Sequence, residues 1–189
     1  RRRGGRVDGP TDGVLVDERM VEPGDWTGPG GAHQILARSD VDVAVLETAR
    51  GGIVLRGMGY ESNEASVLTN VSSDHLDLQG IHTLPELAEV KSTVCRVTKR
   101  DGWVVLNGDE PLVAAVARRV RARVAYFSLE GDDGSGTVRR HVARGGRAIS
   151  FSPGTPLPLS ICDTRPSMAA ARPSVNVAGA VPPARNAAS

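Results

Sequence analysis

The stretch that decides the fold runs from Ser66-Val67-Leu68-Thr69 through Thr83-Leu84-Pro85-Glu86 to Trp103-Val104-Val105-Leu106. Its first and last segments are short, apolar and of strand length. Between them Thr83 and Glu86 form a capping-box pattern, in which the hydroxyl accepts a backbone N–H and the carboxylate reaches back to the cap amide, so a helix is predicted to start there. Leu84, Leu87, Ala88, Val94 and Cys95 recur at three- and four-residue intervals, which gives that helix an apolar stripe and puts Lys91 near its middle. Strand, crossover helix, strand is the pattern of a parallel pair, because parallel strands need a long connection.

Working outward, Val41 to Leu46 and Arg123 to Phe127 read as two more strands. The second follows a predicted helix in which Asp109 caps, Pro111 fits the first turn, and Leu112, Val113, Val116, Ala117 and Val120 make the stripe. The fold class is α/β, a mostly parallel sheet flanked by helices. Thr137 to Val142 and Arg147 to Phe151 are expected to pair as a hairpin across Ala143-Arg144-Gly145-Gly146. Residues 1–10, rich in arginine and glycine without a period, read as a ragged end; residues 11–151 form the domain. The Pro/Ala-rich residues 152–189 are expected to be a disordered tail.

Composition narrows the function classes. The 189 residues are 40% hydrophobic and 24% charged, an ordinary globular balance. A net charge of +1 argues against nucleic acid or an anionic bilayer as partner. The arginines from Arg118 to Arg123 lie on a predicted amphipathic helix, where a solvated face outweighs a phosphate site. Cys95 and Cys162 are too few and too far apart for a disulfide framework or a zinc knuckle, which fits a reducing cytoplasm. No apolar run approaches a membrane span.

Three polar clusters stand at the carboxyl ends of predicted strands, where open α/β sheets build ligand sites. Glu47 ends the first strand and is followed by Thr48-Ala49-Arg50-Gly51-Gly52; as a desolvated carboxylate it needs a cation, either a metal or Arg50 or Arg56. The second cluster, Thr69-Asn70-Val71-Ser72-Ser73-Asp74-His75-Leu76-Asp77, packs an amide, two hydroxyls, two carboxylates and an imidazole into one loop. Ser72, Ser73 and Asp74 suit helix capping, whereas Asn70 and His75 suit function. Mg²⁺ prefers oxygen ligands, so Glu47 suits it; zinc is the alternative for Glu with His, but its further ligands are lacking. The third cluster, Asn107-Gly108-Asp109-Glu110-Pro111, is also explained by a turn and a cap.

In this order and at these separations the clusters resemble the central, ATP-binding domain of the Mur ligase family, over residues 11 to about 130. The family shows a strand ending in a magnesium-binding Glu, a Thr-Asn-x-x-x-Asp-His-x-Asp loop, a helical Lys and an Asn-x-Asp-Asp-Pro turn. These fall on Glu47, Asn70 to Asp77, Lys91 and Asn107 to Pro111, with Gly108 and Glu110 departing from the commoner residues. Within the family, Thr11-Asp12-Gly13-Val14, Gly24-Asp25-Trp26-Thr27-Gly28-Pro29-Gly30-Gly31 and Glu47-Thr48-Ala49-Arg50-Gly51-Gly52-Ile53 look like the cyanophycin-synthesising branch.

The resemblance implies a ligase that phosphorylates a carboxylate with ATP and forms an amide when an amine attacks the acyl phosphate. It implies ATP and Mg²⁺ as cofactors, Glu47 and His75 as metal ligands, and Lys91 as a further ligand if carbamoylated. Lys91 and His75 become catalytic candidates, and Asn70, Asn107 and Asp109 nucleotide-binding ones. In this branch the substrates are arginine and an aspartate polymer; a homo-oligomer is left open. The family's Gly-x-x-x-x-Gly-Lys-Ser/Thr loop is not found, Arg1-Arg2-Arg3-Gly4-Gly5-Arg6 having no Gly-Lys-Thr. The domain is therefore read as incomplete and the chain alone as inactive. Two other readings stand beside it: a non-catalytic remnant or binding fragment, and an unrelated metal-dependent hydrolase built on Glu47, His75 and Asp77.

Overall fold

The computed structural model describes residues 4–7, 13–73, 76–130, 136–151 and 159–162. They form two sheets. The larger contains β5 (Asn63–Leu68), β6 (Thr98–Asn107), β7 (Arg123–Ser128), β8 (Arg147–Phe151) and β9 (Leu159–Cys162), in that spatial order. The first four run parallel and β9 is antiparallel to β8. The strand-helix-strand reading is realised as β5, α3 (Leu84–Lys91) and β6, and the capping box forms as expected. Glu86 N donates to Thr83 Oγ1 at 3.3 Å and Thr83 N to Glu86 Oε2 at 3.0 Å. The helix breaks at Ser92, whose hydroxyl donates to the Glu89 carbonyl at 2.7 Å, and resumes as α4 (Thr93–Arg96). Lys91 therefore ends α3, beside the break.

Leu87, Val104, Leu106 and Val113 are wholly inaccessible to solvent and anchor the core between this sheet and its helices. Burying each side chain contributes about 1.5–3 kcal/mol, so this cluster dominates the stability of the domain.

The smaller sheet has the order β3 (Arg19–Pro23), β2 (Gly13–Val16), β1 (Gly4–Val7), β4 (Val43–Leu46). Its β2–β3 turn holds Asp17 and Glu18 at φ +50° and +66°, the twist that a two-residue hairpin demands. A second, smaller core of Val14, Val16 and Ile35 lies between this sheet and α1 (Pro29–Leu36). After β4, α2 (Arg50–Arg56) packs against α3 of the larger sheet.

Five expectations are corrected. Gly4–Val7, read as part of a ragged end, pairs antiparallel with β2 and parallel with β4 through backbone groups that need no apolar side chains. The strand ending before Glu47 joins the smaller sheet. The hairpin is absent, because Gly136–Ala143 forms helix α6, with Val138 buried against the core. The amphipathic helix before β7 shrinks to α5 (Pro111–Ala114) and a 3-10 turn at Ala115–Arg119, so Arg121 and Arg123 lie beyond it. Within the tail expected to be disordered, Leu159–Cys162 form β9; residues 152–158 and 163–189 lie outside the described residues. No described helix is long and apolar enough to cross a membrane.

Candidate functional site

The carboxyl ends of β5, β6 and β7 are joined by side chains that bond to backbone. Asn107, at the end of β6 and 9% exposed, donates from Nδ2 to the Thr69 carbonyl at 3.0 Å and accepts Asp109 N on Oδ1 at 2.9 Å. Asp109 accepts Ser128 Oγ at 2.7 Å on one oxygen and Leu129 N at 2.7 Å on the other. The expected helix-capping role of Asp109 is thereby corrected: Glu110 occupies the cap of α5 and makes no side-chain cap bond. The Asp109 carboxylate instead holds the loop after β7.

Lys91 reaches the same edge from α3, its Nζ donating to the Asn70 carbonyl at 3.3 Å. The two carboxylates of the same helix, Glu86 and Glu89, have other commitments: Glu86 serves the capping box, and Glu89 pairs with Arg96 and Arg119. Backbone and hydroxyl donors from His82 and Thr83 hold the Glu86 carboxyl below its ordinary range.

Glu47 follows β4 and is exposed. Arg50, one of its two expected ion-pair partners, reaches across to donate to the Leu78 carbonyl at 3.0 Å, while Ala49 N bonds to the Thr27 carbonyl at 3.2 Å. The turn after Glu47 is therefore tied to the loop that follows β5. That loop is tightly wound, with Asp77 at φ +63°, Asp77 N on the Ile81 carbonyl at 2.8 Å, and His82 Nδ1 3.1 Å from Asp77 Oδ1. Asp74 and His75 lie outside the described residues, so the His75 ligand and catalytic roles rest on the sequence alone.

Among the described residues no three His, Cys, Asp or Glu side chains converge to hold a metal. An exposed carboxylate suits Mg²⁺ nonetheless, since this ion keeps waters and substrate phosphates and takes only one or two protein carboxylates. Glu47 fits that mode. Two surface grooves, one between α3 and the 3-10 turn beside Arg119 and one beneath Trp103, include none of the strand-end candidates.

Ser128 is the member of this edge that sequence reasoning missed. It is 2% exposed and closes an apolar strand, and only its distance from Asp109 reveals its part.

The Mur ligase middle domain family matches residues 30–161. Cyanophycin synthetase of Trichormus variabilis is 46% identical over 144 residues, covering 76% of this chain and 16% of that protein. Cyanophycin synthetase of Crocosphaera subtropica is 44% identical over 155 residues, 81% of this chain and 18% of the relative. UDP-N-acetylmuramoylalanine–D-glutamate ligase of Symbiobacterium thermophilum is 34% identical over 130 residues, 66% of this chain and 28% of the relative. The chain thus spans less than a fifth of the length of these cyanophycin synthetases. With a parallel sheet whose strand ends carry the motif residues, and a match over most of its length, the chain belongs to the Mur ligase middle domain family.

Proposed function

We propose that this domain forms the ATP-using part of an ATP-dependent amide ligase of the cyanophycin-synthesising kind. The observation that carries the reading is that motif residues from three separate stretches each bond to the backbone of the loop after β5: Arg50 to Leu78, Lys91 to Asn70, and Asn107 to Thr69. Phosphoryl transfer asks a protein mainly for positioning and for neutralised charge, and strand-end loops held by backbone bonds supply positioning.

The γ-phosphoryl group of ATP passes to a carboxylate oxygen, giving an acyl phosphate and ADP. An amine nitrogen then attacks the acyl carbon, phosphate leaves with its bonding electrons, and the nitrogen loses its extra proton to give the amide. Glu47 and His75 would hold Mg²⁺, with Lys91 joining them if carbamoylated; when bound, the ion neutralises phosphate charge. Asn70 and Asn107 offer amide groups to the nucleotide. Both polar ends of Asn107 are already engaged, but its amide nitrogen has a second N–H and its oxygen a second lone pair. Asp109 serves through the backbone it holds. The branch resemblance makes an aspartate-type carboxylate and the amino group of arginine the substrate pair.

The test is a chimera in which residues 30–151 replace the matching segment of the Trichormus cyanophycin synthetase. The expected result is one ADP released per amide formed, dependent on added amino acid. A folded chimera that releases no ADP above background contradicts the proposal. Metal-dependent hydrolysis without ATP would favour the hydrolase reading instead.

A further inference from the structure

We propose that Ser128 is a positioning residue for this edge: with Asp109 it fixes the Asn107 side chain and, through it, the backbone of Thr69 and Asn70. Its relevance to nucleotide binding rests on the ligase reading; the relay itself stands on geometry.

Ser128 Oγ has one proton and donates it to Asp109 Oδ1 at 2.7 Å, while accepting Glu130 N at 3.2 Å. The other Asp109 oxygen takes Leu129 N, so both oxygens of the carboxylate are engaged and its orientation is set. Asp109 N then points at Asn107 Oδ1, which leaves Nδ2 aimed at the Thr69 carbonyl. Four side-chain bonds therefore run from β7 across β6 to the end of β5, and Gly108 N on the Phe127 carbonyl at 2.8 Å closes the backbone alongside. The residue after Thr69 is Asn70, whose carbonyl receives Lys91.

A polar chain with buried members at both ends, Asn107 and Ser128, is costly unless those members are satisfied, and when satisfied it specifies one arrangement. Ser128 is almost fully buried, and a small apolar residue would close β7 without polar desolvation. The hydroxyl is needed where the neighbouring loop must sit in one place. Charge assistance from Asp109 makes its bond with Ser128 stronger than a neutral pair, so the relay is anchored at the β7 end.

The experiment compares Ser128→Ala with Thr98→Val by NMR on this chain. Thr98 is also a buried hydroxyl, 6% exposed and 2.8 Å from Ser66 Oγ, but it begins β6 at the opposite end of the sheet. With Ser128→Ala, the Asn107 side-chain amide should exchange about tenfold faster or more, and the order parameters of Thr69 and Asn70 should fall. Thr98→Val should leave both at wild-type values even where it lowers Tm as much. If the two variants move these signals equally, or Ser128→Ala moves neither, the relay is overturned. If Ser128→Ala does not fold, Asp109→Asn keeps an acceptor on one arm and should shift the same signals less; unshifted signals there also overturn the relay. In the chimera, Ser128→Ala should raise KM for ATP about tenfold with a smaller change in kcat, and an unchanged KM would refute the positioning role. A parent chimera that forms no amide would defeat the ligase reading, while the NMR comparison would still decide the relay.

Discussion

The two ends of the parallel sheet are both rich in polar side chains, and they use them in opposite ways. At the amino end the groups pair with one another on the surface. Lys99 meets Glu64 at 2.5 Å, both well exposed, and the guanidinium carbons of Arg123 and Arg147 lie 4.5 and 5.1 Å from the centre of the Trp103 ring. Strand register explains the stack, since Trp103 is opposite Arg123 on β7, and Arg147 opens β8 beyond it. At the carboxyl end Asn107, Asp109, Ser128 and Lys91 bond to backbone or to each other so that loops are held. The first pattern seals an edge; the second shapes one, which is what a ligand site requires. Polar content alone would not have told the ends apart.

The largest stability difference should come from cutting one acceptor at each end. Asp109→Ala leaves a buried hydroxyl and the Leu129 amide without their acceptor and should cost about 3 kcal/mol, given ~1.5–3 kcal/mol for a hydrogen bond to a charged group. Urea unfolding reads it directly, and a loss under ~1 kcal/mol would erase the contrast drawn above. Trp103→Ala should cost about 1–2 kcal/mol, as it removes a half-buried ring and two cation–π contacts, and should leave KM for ATP in the chimera unchanged. A raised KM would make the amino end part of the site. Glu64→Ala should cost no more than about 1 kcal/mol, because its partner pair is solvent-exposed and screened by salt.

Between the two ends, α6 carries the smallest expected effect. His141 packs edge-on against Tyr126 with ring centres 4.8 Å apart, and burial pushes its pKa below the ordinary value. A depressed histidine pKa means that folding favours the neutral ring. This contribution is therefore fully present above the unfolded pKa of about 6.5 and is lost as pH falls through the lower folded value. Melting curves should show Tm falling below about pH 6.5, and His141→Gln should flatten that slope relative to wild type. Parallel slopes for the two proteins would remove His141 from the balance.

What could be read from the sequence depended on how local its cause is. The capping box at Thr83 and Glu86 lies within one turn, and the apolar runs of β5, β6 and β7 bury the sheet directly, so these were legible. Helix α6 was misread because Thr137, Val138 and Val142 are β-branched; the spacing of Val138, His141 and Val142 along one helical face was the better signal. β1 was invisible because Gly4 and Gly5 have no side chain to pattern, and its pairing is made by backbone alone. At the site, Glu47, Asn70, Lys91 and Asn107 were found as motif residues. The place of Asp109 was missed, since its partner Ser128 is 19 residues away and a single serine after a strand has no signature.

If the edge around Glu47 and the β5 loop serves phosphoryl transfer, Glu47→Ala in the chimera loses turnover while keeping its fold. Thermal melts and steady-state ADP release, with magnesium titrated, are measured on the variant and its parent. Turnover should fall about 10²-fold or more, since losing a comparable preorganised electrostatic contact costs roughly 3–4 kcal/mol of barrier, while stability shifts by no more than about 1 kcal/mol. Near-normal turnover at ordinary magnesium would contradict the account and remove Glu47, and the metal assignment with it, from the site.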